Sequence, residues 1–129
     1  MLRIKEGAVP SGGHYAAAVI AHGFVFVSGQ GPVDPAGGRA PDGFAAQVRQ
    51  TLANVRTVLA KAGAGMEDVV KVNAYLADVT RFAEYDAVYR EFFPADAPAR
   101  TTVGAQLVGI QVEIDCVAAL AGSGKGESK

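Results

Sequence analysis

Residues 44–62 read FAAQVRQTLANVRTVLAKA. Apolar side chains fall at Phe44, Val48, Leu52, Val55, Leu59 and Ala62. Spacings of three and four place them on one face at a 3.6-residue period. The stretch predicts an amphipathic helix, with Asp42 as N-cap and Gly63 as its stop. A helix with one apolar stripe needs a partner layer, so the flanking sequence decides the fold.

Upstream, Tyr15 to Ser28 predicts a hairpin. Ala17–Val19 and Phe24–Val27 are strand-like, and His22-Gly23 supplies the turn. Gln30 to Asp42 collects Gly, Pro and Asp and reads as a loop, and the residues before Tyr15 read as an extended head. Downstream, Val69–Leu76 predicts a strand. Phe82, Tyr85, Tyr89 and Phe92 recur at helical spacing, so a second helix is expected over 81–93, ended by Pro94 and Pro98. Thr101–Ala105 and Gln111–Leu120 predict the last strands. In Val112-Glu113-Ile114-Asp115-Cys116, Val112, Ile114 and Cys116 face one way and the two carboxylates the other. The order β-β-α-β-α-β-β implies an α+β layer with both helices on one face of the sheet.

The chain has 129 residues, a length for one domain, expected over 1–121, with a flexible polar tail at 122–129 (GSGKGESK). Twelve basic and 13 acidic residues give a net charge of -1, which provides no footprint for nucleic acid. A single cysteine, Cys116, forms no intramolecular disulfide and fits a reducing cytoplasm. The start of the chain has no signal-like apolar run, and no stretch is long and apolar enough for a bilayer. His14 and His22 stand alone, without metal-ligand spacing, so no metal site is expected.

Several residues carry candidate chemistry. Arg100, beside Pro98-Ala99, has a guanidinium suited to a planar carboxylate, although alone it reads as a surface ion pair. Glu113 can hold or activate a water, or simply face solvent. Gly29-Gln30-Gly31 lacks the helix a phosphate cradle requires and reads as a tight strand exit. Tyr15 alone reads as packing, and Cys116 as a small buried hydrophobe.

Six segments in order carry a resemblance. They are Ser28-Gly29-Gln30 with Pro32-Val33-Asp34-Pro35, Gln47/Gln50/Asn54, Asp68-Val69-Val70-Lys71, Tyr89–Phe93, Pro98-Ala99-Arg100 and Val112-Glu113-Ile114. Over about residues 10–120 the chain resembles the reactive intermediate deaminase family, also called YjgF-type or L-PSP. The resemblance implies a chorismate-mutase-like sheet with two helices on one face, a homotrimer, and sites between neighbouring subunits. It implies hydrolysis of enamine and imine intermediates, of the 2-aminoacrylate and 2-iminopropionate type, to 2-keto acids and ammonia without cofactor or metal. By position, Arg100 matches the carboxylate-binding arginine, Glu113 the water-positioning glutamate and Tyr15 the pocket tyrosine. Gly29, with Ser28 beside it, matches the glycine whose carbonyl meets the substrate nitrogen. Thr102 stands where the well-studied deaminases often have cysteine, and its backbone N–H remains a carboxylate donor. The Arg100–Glu113 segment is about two residues shorter than theirs, and Asp86 replaces a common asparagine. A non-catalytic small-carboxylate-binding regulator and an endoribonuclease are the alternative functions, the latter disfavoured by the charge.

Overall fold

A computed structural model describes residues 1–120; the expected tail at 122–129 lies outside the described residues. The elements are β1 (Leu2–Ile4), β2 (Ala18–Ala21), β3 (Phe24–Gln30), α1 (Phe44–Lys61), β4 (Val69–Leu76), α2 (Phe82–Phe92), β5 (Ala99–Gly104) and β6 (Val112–Ala119). Single 3-10 turns, Met66–Asp68 and Val79–Arg81, precede β4 and α2. The strands form one six-stranded sheet in the order β1-β2-β3-β6-β4-β5. Only β4 and β5 pair in parallel, which the crossover through α2 makes possible.

The sequence expectation of an α+β sheet with two helices is met, with one strand more than expected. Leu2–Ile4 of the extended head pairs antiparallel with β2. Three residues are too few to show alternation, and only the pairing defines the strand. His22 (φ 53°) and Gly23 (φ 81°) both turn left-handed, as a two-residue hairpin between right-twisted strands requires.

All six apolar positions expected on the face of α1 are buried. The helix start differs from expectation. Gly43, not Asp42, is the N-cap, because the first helical bond runs from Gln47 N–H to the Gly43 carbonyl, and no side chain caps it. Asp42 lies one residue too early. At the other end, Ala64 N–H reaches Leu59 O (2.9 Å) and Gly63 N–H reaches Ala60 O (3.1 Å), with Gly63 at φ 85°. This is a Schellman stop, and its left-handed residue is the expected glycine.

The core lies between α1, α2 and one face of the sheet. Val25 and Val27 of β3, Val112, Ile114, Cys116 and Ala118 of β6, and Val72, Ala74 and Leu76 of β4 are buried there. Tyr85, Val88 and Tyr89 of α2 close it. Two irregularities keep this face apolar. Val27 pairs with Cys116 and Gln30 with Ile114, so β3 carries one extra residue at Ser28–Gly29. Val69 pairs with Ala118 and Lys71 with Val117, so β4 carries one extra residue at Val70.

Polar residues on the buried side of α1 pin the loops. Asn54 donates to the Gly31 carbonyl (2.9 Å) and the Val33 carbonyl (2.8 Å) and accepts from Gln50. Gln47 donates to Pro41 O and accepts from Gln111 N–H. Asn54 thus fixes the chain immediately after Gly29. Replacing it by Ala strips two carbonyls of a shared donor, and Asn54→Ala is expected to cost about 2–3 kcal/mol. Urea denaturation at fixed protein concentration measures this as a lower midpoint.

Candidate functional site

Among the described residues no helix covers the second sheet face. Alternation turns Glu113, Asp115 and Val117 of β6 toward it, with Asn73 and Tyr75 of β4 and Phe24 and Phe26 of β3. Phe24 and Phe26 are 41% and 47% exposed. Beside them Asp115 accepts from Asn73 (2.9 Å) and from the Tyr75 hydroxyl (3.2 Å). Burial first, then the nearby Asp115 carboxylate, raises the Tyr75 pKa. Large aromatic side chains therefore stand open on this face beside a hydrogen-bonded polar network.

Glu113 occupies a defined place on this face. A Cβ added at Gly29 would collide with the Glu113 carboxylate and would lie 3.2 Å from its Cγ. The Ser28–Gly29 bulge therefore brings a side-chain-free backbone under the glutamate. Among the described residues the carboxylate holds no hydrogen bond. Ser28 locks the bulge to the preceding segment: its Oγ donates to Ala16 O (2.7 Å) and its N–H to Ala17 O (2.9 Å). That anchor sets Tyr15 next to Gly29. Tyr15, Ser11, Gly29 and Gly31 line one small cavity of about 80 Å³. The Tyr15 hydroxyl accepts from Gly12 N–H (3.3 Å), and the residue is half exposed.

Arg100 lies elsewhere. It pairs with core-facing Val72, so its side chain is on the helix face, on edge strand β5. Its guanidinium stacks 4.4 Å from the Tyr89 ring centre and 5.3 Å from those of Phe82 and Tyr85. Nη1 donates to Asp86 Oδ1 at 2.8 Å. Thr102, two residues on and on the same face, meets the Tyr85 hydroxyl at 3.5 Å. The bond from Arg100 holds the Asp86 carboxyl below the usual range. Burial works against the Arg100 charge, yet with Asp86 beside it the guanidinium pKa is raised. A cleft of about 510 Å³ opens here, lined by Asp86, Tyr89, Phe93, Pro98 and Arg100 among others.

The six expected site residues thus form two groups. Tyr15, Ser28, Gly29 and Glu113 gather at the β3 bulge, and Arg100 and Thr102 stand on the β5 edge. Glu113 and Arg100 point to opposite faces, and their strands are two spacings apart, about 10 Å. Within one chain they do not converge.

Sequence reading missed the aromatic shelf under Arg100. For Phe82, Tyr85 and Tyr89 only their helical spacing was visible. Cys116 is buried as expected, and burial pushes its thiol up to about 12, so it is inert as a nucleophile. Among the described residues no group of His, Cys, Asp or Glu is placed to hold a metal ion, and no helix is long and apolar enough to cross a membrane.

A six-stranded sheet covered on one face, with a carboxylate seated on a strand bulge, defines a YjgF-type subunit. A family profile described as Endoribonuclease L-PSP matches residues 6–120. Protein mmf2, mitochondrial, of Schizosaccharomyces pombe is 40% identical over 121 residues, covering 90% of this chain and 95% of that protein. A RutC family protein of Aquifex aeolicus is 39% identical over 116 residues, covering 88% and 92%. The crystal structure of the E. coli YjgF gene product superposes with a TM-score of 0.86 at 33% identity, covering 92% of this chain and 98% of that one. E. coli TdcF with bound serine gives 0.87 at 30% identity, covering 94% and 100%. The chain belongs to the RidA/YjgF/L-PSP family.

The contact between Gly29 and Glu113 is testable by itself. Gly29→Ala is expected to displace the Glu113 side chain and cost about 1–2 kcal/mol. The double variant G29A/E113A recovers most of that loss in the same denaturation assay, because the colliding group is gone.

Proposed function

We propose that this chain hydrolyses reactive imines and enamines of small amino-acid-derived carboxylic acids to 2-keto acids and ammonia. The carrying observation is the seat of Glu113, a carboxylate without a hydrogen-bond partner among the described residues, pressed against the side-chain-free bulge at Gly29. In this reading Arg100 clamps the substrate carboxylate, with the Thr102 backbone N–H as a second donor. The Gly29 carbonyl takes the imine N–H, Tyr15 closes the pocket and Ser28 fixes the bulge. Glu113 orients the attacking water and accepts its proton. The oxygen adds to the imine carbon and the first proton passes to nitrogen, giving a carbinolamine; its hydroxyl proton then moves to nitrogen as the C–N bond breaks, releasing ammonia and leaving the keto group. Enamine substrates tautomerise to the imine first. Every atom comes from substrate and water, so the step calls for no cofactor. Positioning supplies much of the rate, since the imine is already electrophilic.

Arg100 and Glu113 face opposite ways in one subunit, so the complete pocket in this reading joins the β5 edge of one subunit to the bulge of its neighbour. A homotrimer supplies that junction and covers Phe24 and Phe26. The TdcF relative, crystallised with bound serine, supports a small amino- or keto-acid ligand. The net charge of -1 weighs against the ribonuclease named in the family description. The same bound serine favours, as second reading, a carboxylate-binding regulator that holds such acids without turnover. A reducing, aqueous compartment such as the cytoplasm suits the buried free thiol of Cys116.

The test generates 2-iminobutanoate or 2-iminopropanoate in situ with a dehydratase and follows 2-keto acid release. Acceleration over buffer is expected, and its absence overturns the reading for those substrates. Arg100→Ala is expected to lower kcat/KM by about thirtyfold to several hundredfold, a loss of about 2 kcal/mol or more. An unchanged rate removes the clamp assignment. Sedimentation velocity is expected to show a trimer, and a monomer at assay concentration overturns the shared pocket.

A further inference from the structure

Asp86 takes no part in the reaction described above, yet it is the side chain bound most directly to Arg100. Its two oxygens are divided between two arginines. Oδ1 accepts from Arg100 Nη1 at 2.8 Å, while Oδ2 accepts from Arg90 Nη2 at 3.1 Å and Nε at 3.3 Å. Arg90 lies one helical turn on and is largely exposed, so it holds Asp86 from the solvent side. Arg100 is about four-fifths buried, stacked flat over Tyr89. Three restraints therefore act on one guanidinium: a ring beneath it, rings beside it and a carboxylate at Nη1.

An arginine presents two edges suited to a carboxylate, and Asp86 occupies only the Nη1 end. Among the described residues no carboxylate reaches the Nε–Nη2 edge. We infer that Asp86 is a positioning residue that turns the free edge of Arg100 toward the incoming carboxylate and competes with it for the guanidinium charge. The inference rests on the reading of Arg100 as a carboxylate clamp. It has two opposed consequences. The hydrogen bond from Arg100 to Asp86 orients the clamp and favours binding. The negative charge of Asp86 partly neutralises the clamp and repels a second anion, which weakens binding and speeds release. Asn at this position keeps an acceptor for Nη1 but drops the charge; Ala removes both.

The test measures the affinity of 2-ketobutyrate by titration calorimetry, alongside steady-state kinetics, for the wild-type chain, Asp86→Asn, Asp86→Ala, Arg100→Ala and D86N/R100A. D86N is expected to bind about three- to tenfold tighter, since a like charge beside the ligand is gone. D86A is expected to bind about tenfold weaker, because Arg100 loses its brace. In the Arg100→Ala background the gain from D86N is expected to shrink, because only direct repulsion of the ligand is left to relieve. In turnover, D86N is expected to lower KM more than it changes kcat. A purely structural Asp86 would move both variants in the same direction, and that result overturns the inference. So do variants that bind like the wild-type chain. In either case wild-type binding leaves the clamp itself intact. If the wild-type chain binds 2-ketobutyrate no better than Arg100→Ala does, the clamp reading fails and this inference with it.

Discussion

Two helices can cover only one face of a six-stranded sheet, and this sheet is buried on one face alone. Val25, Val27, Val72, Leu76, Val112 and Ile114 take the covered side because side chains alternate along a strand. Everything between them is turned the other way. Glu113 and Asp115 owe their placement to that alternation rather than to any attraction of their own. The same rule sends Arg100 under the helices and Glu113 away from them. Two groups of candidate side chains on opposite faces are thus the direct outcome of one covering layer, and the proposed pocket joins them only through a second copy of the chain.

Local irregularity modifies this rule where chemistry is expected. The extra residue at Ser28–Gly29 lets Val27 and Gln30 both face the core, and a residue without a side chain then falls opposite Glu113. Asn54 secures the exit of that segment from inside the core, and Ser28 secures its start. On the other face the aromatic residues of α2 serve both packing and electrostatics. Tyr85 and Tyr89 fill the core with their rings, and the ring faces left over become the bed of Arg100. Stability and site geometry therefore draw on the same side chains.

Much of the fold was legible in the sequence. The period of Phe44–Ala62, the apolar run Val69–Leu76 and the alternation at Val112–Cys116 each depend on local repetition, and each appears as expected. β1 was not legible, because three residues become a strand only through their partner. The start of α1 was misread by one residue, since Asp42 carries the side chain of a cap but Gly43 has the backbone of one. The candidate site residues were named from residue types and order alone. Its division between two faces was not, because strand order is a long-range property. The parallel pairing of β4 with β5, which assigns Arg100 its face, leaves no mark in the local pattern. The link between Asp86 and Arg100 spans 14 residues and joins a helix to a strand, so no periodicity reveals it.

The bulge on β3 also limits how this chain can change length. Deleting one residue between Val27 and Gln30 would leave both facing the core by plain alternation, but the bulge itself would be gone. Loss of Gly29 would leave Ser28 alone in the gap, with a Cβ where the backbone now lies open beneath Glu113. Insertions can accumulate in the loop beyond Val33, past the carbonyls that Asn54 holds, without touching this relation. Substitutions on the solvent side of α1 can do so as well. In this short stretch both the residue count and the glycine at position 29 are under constraint.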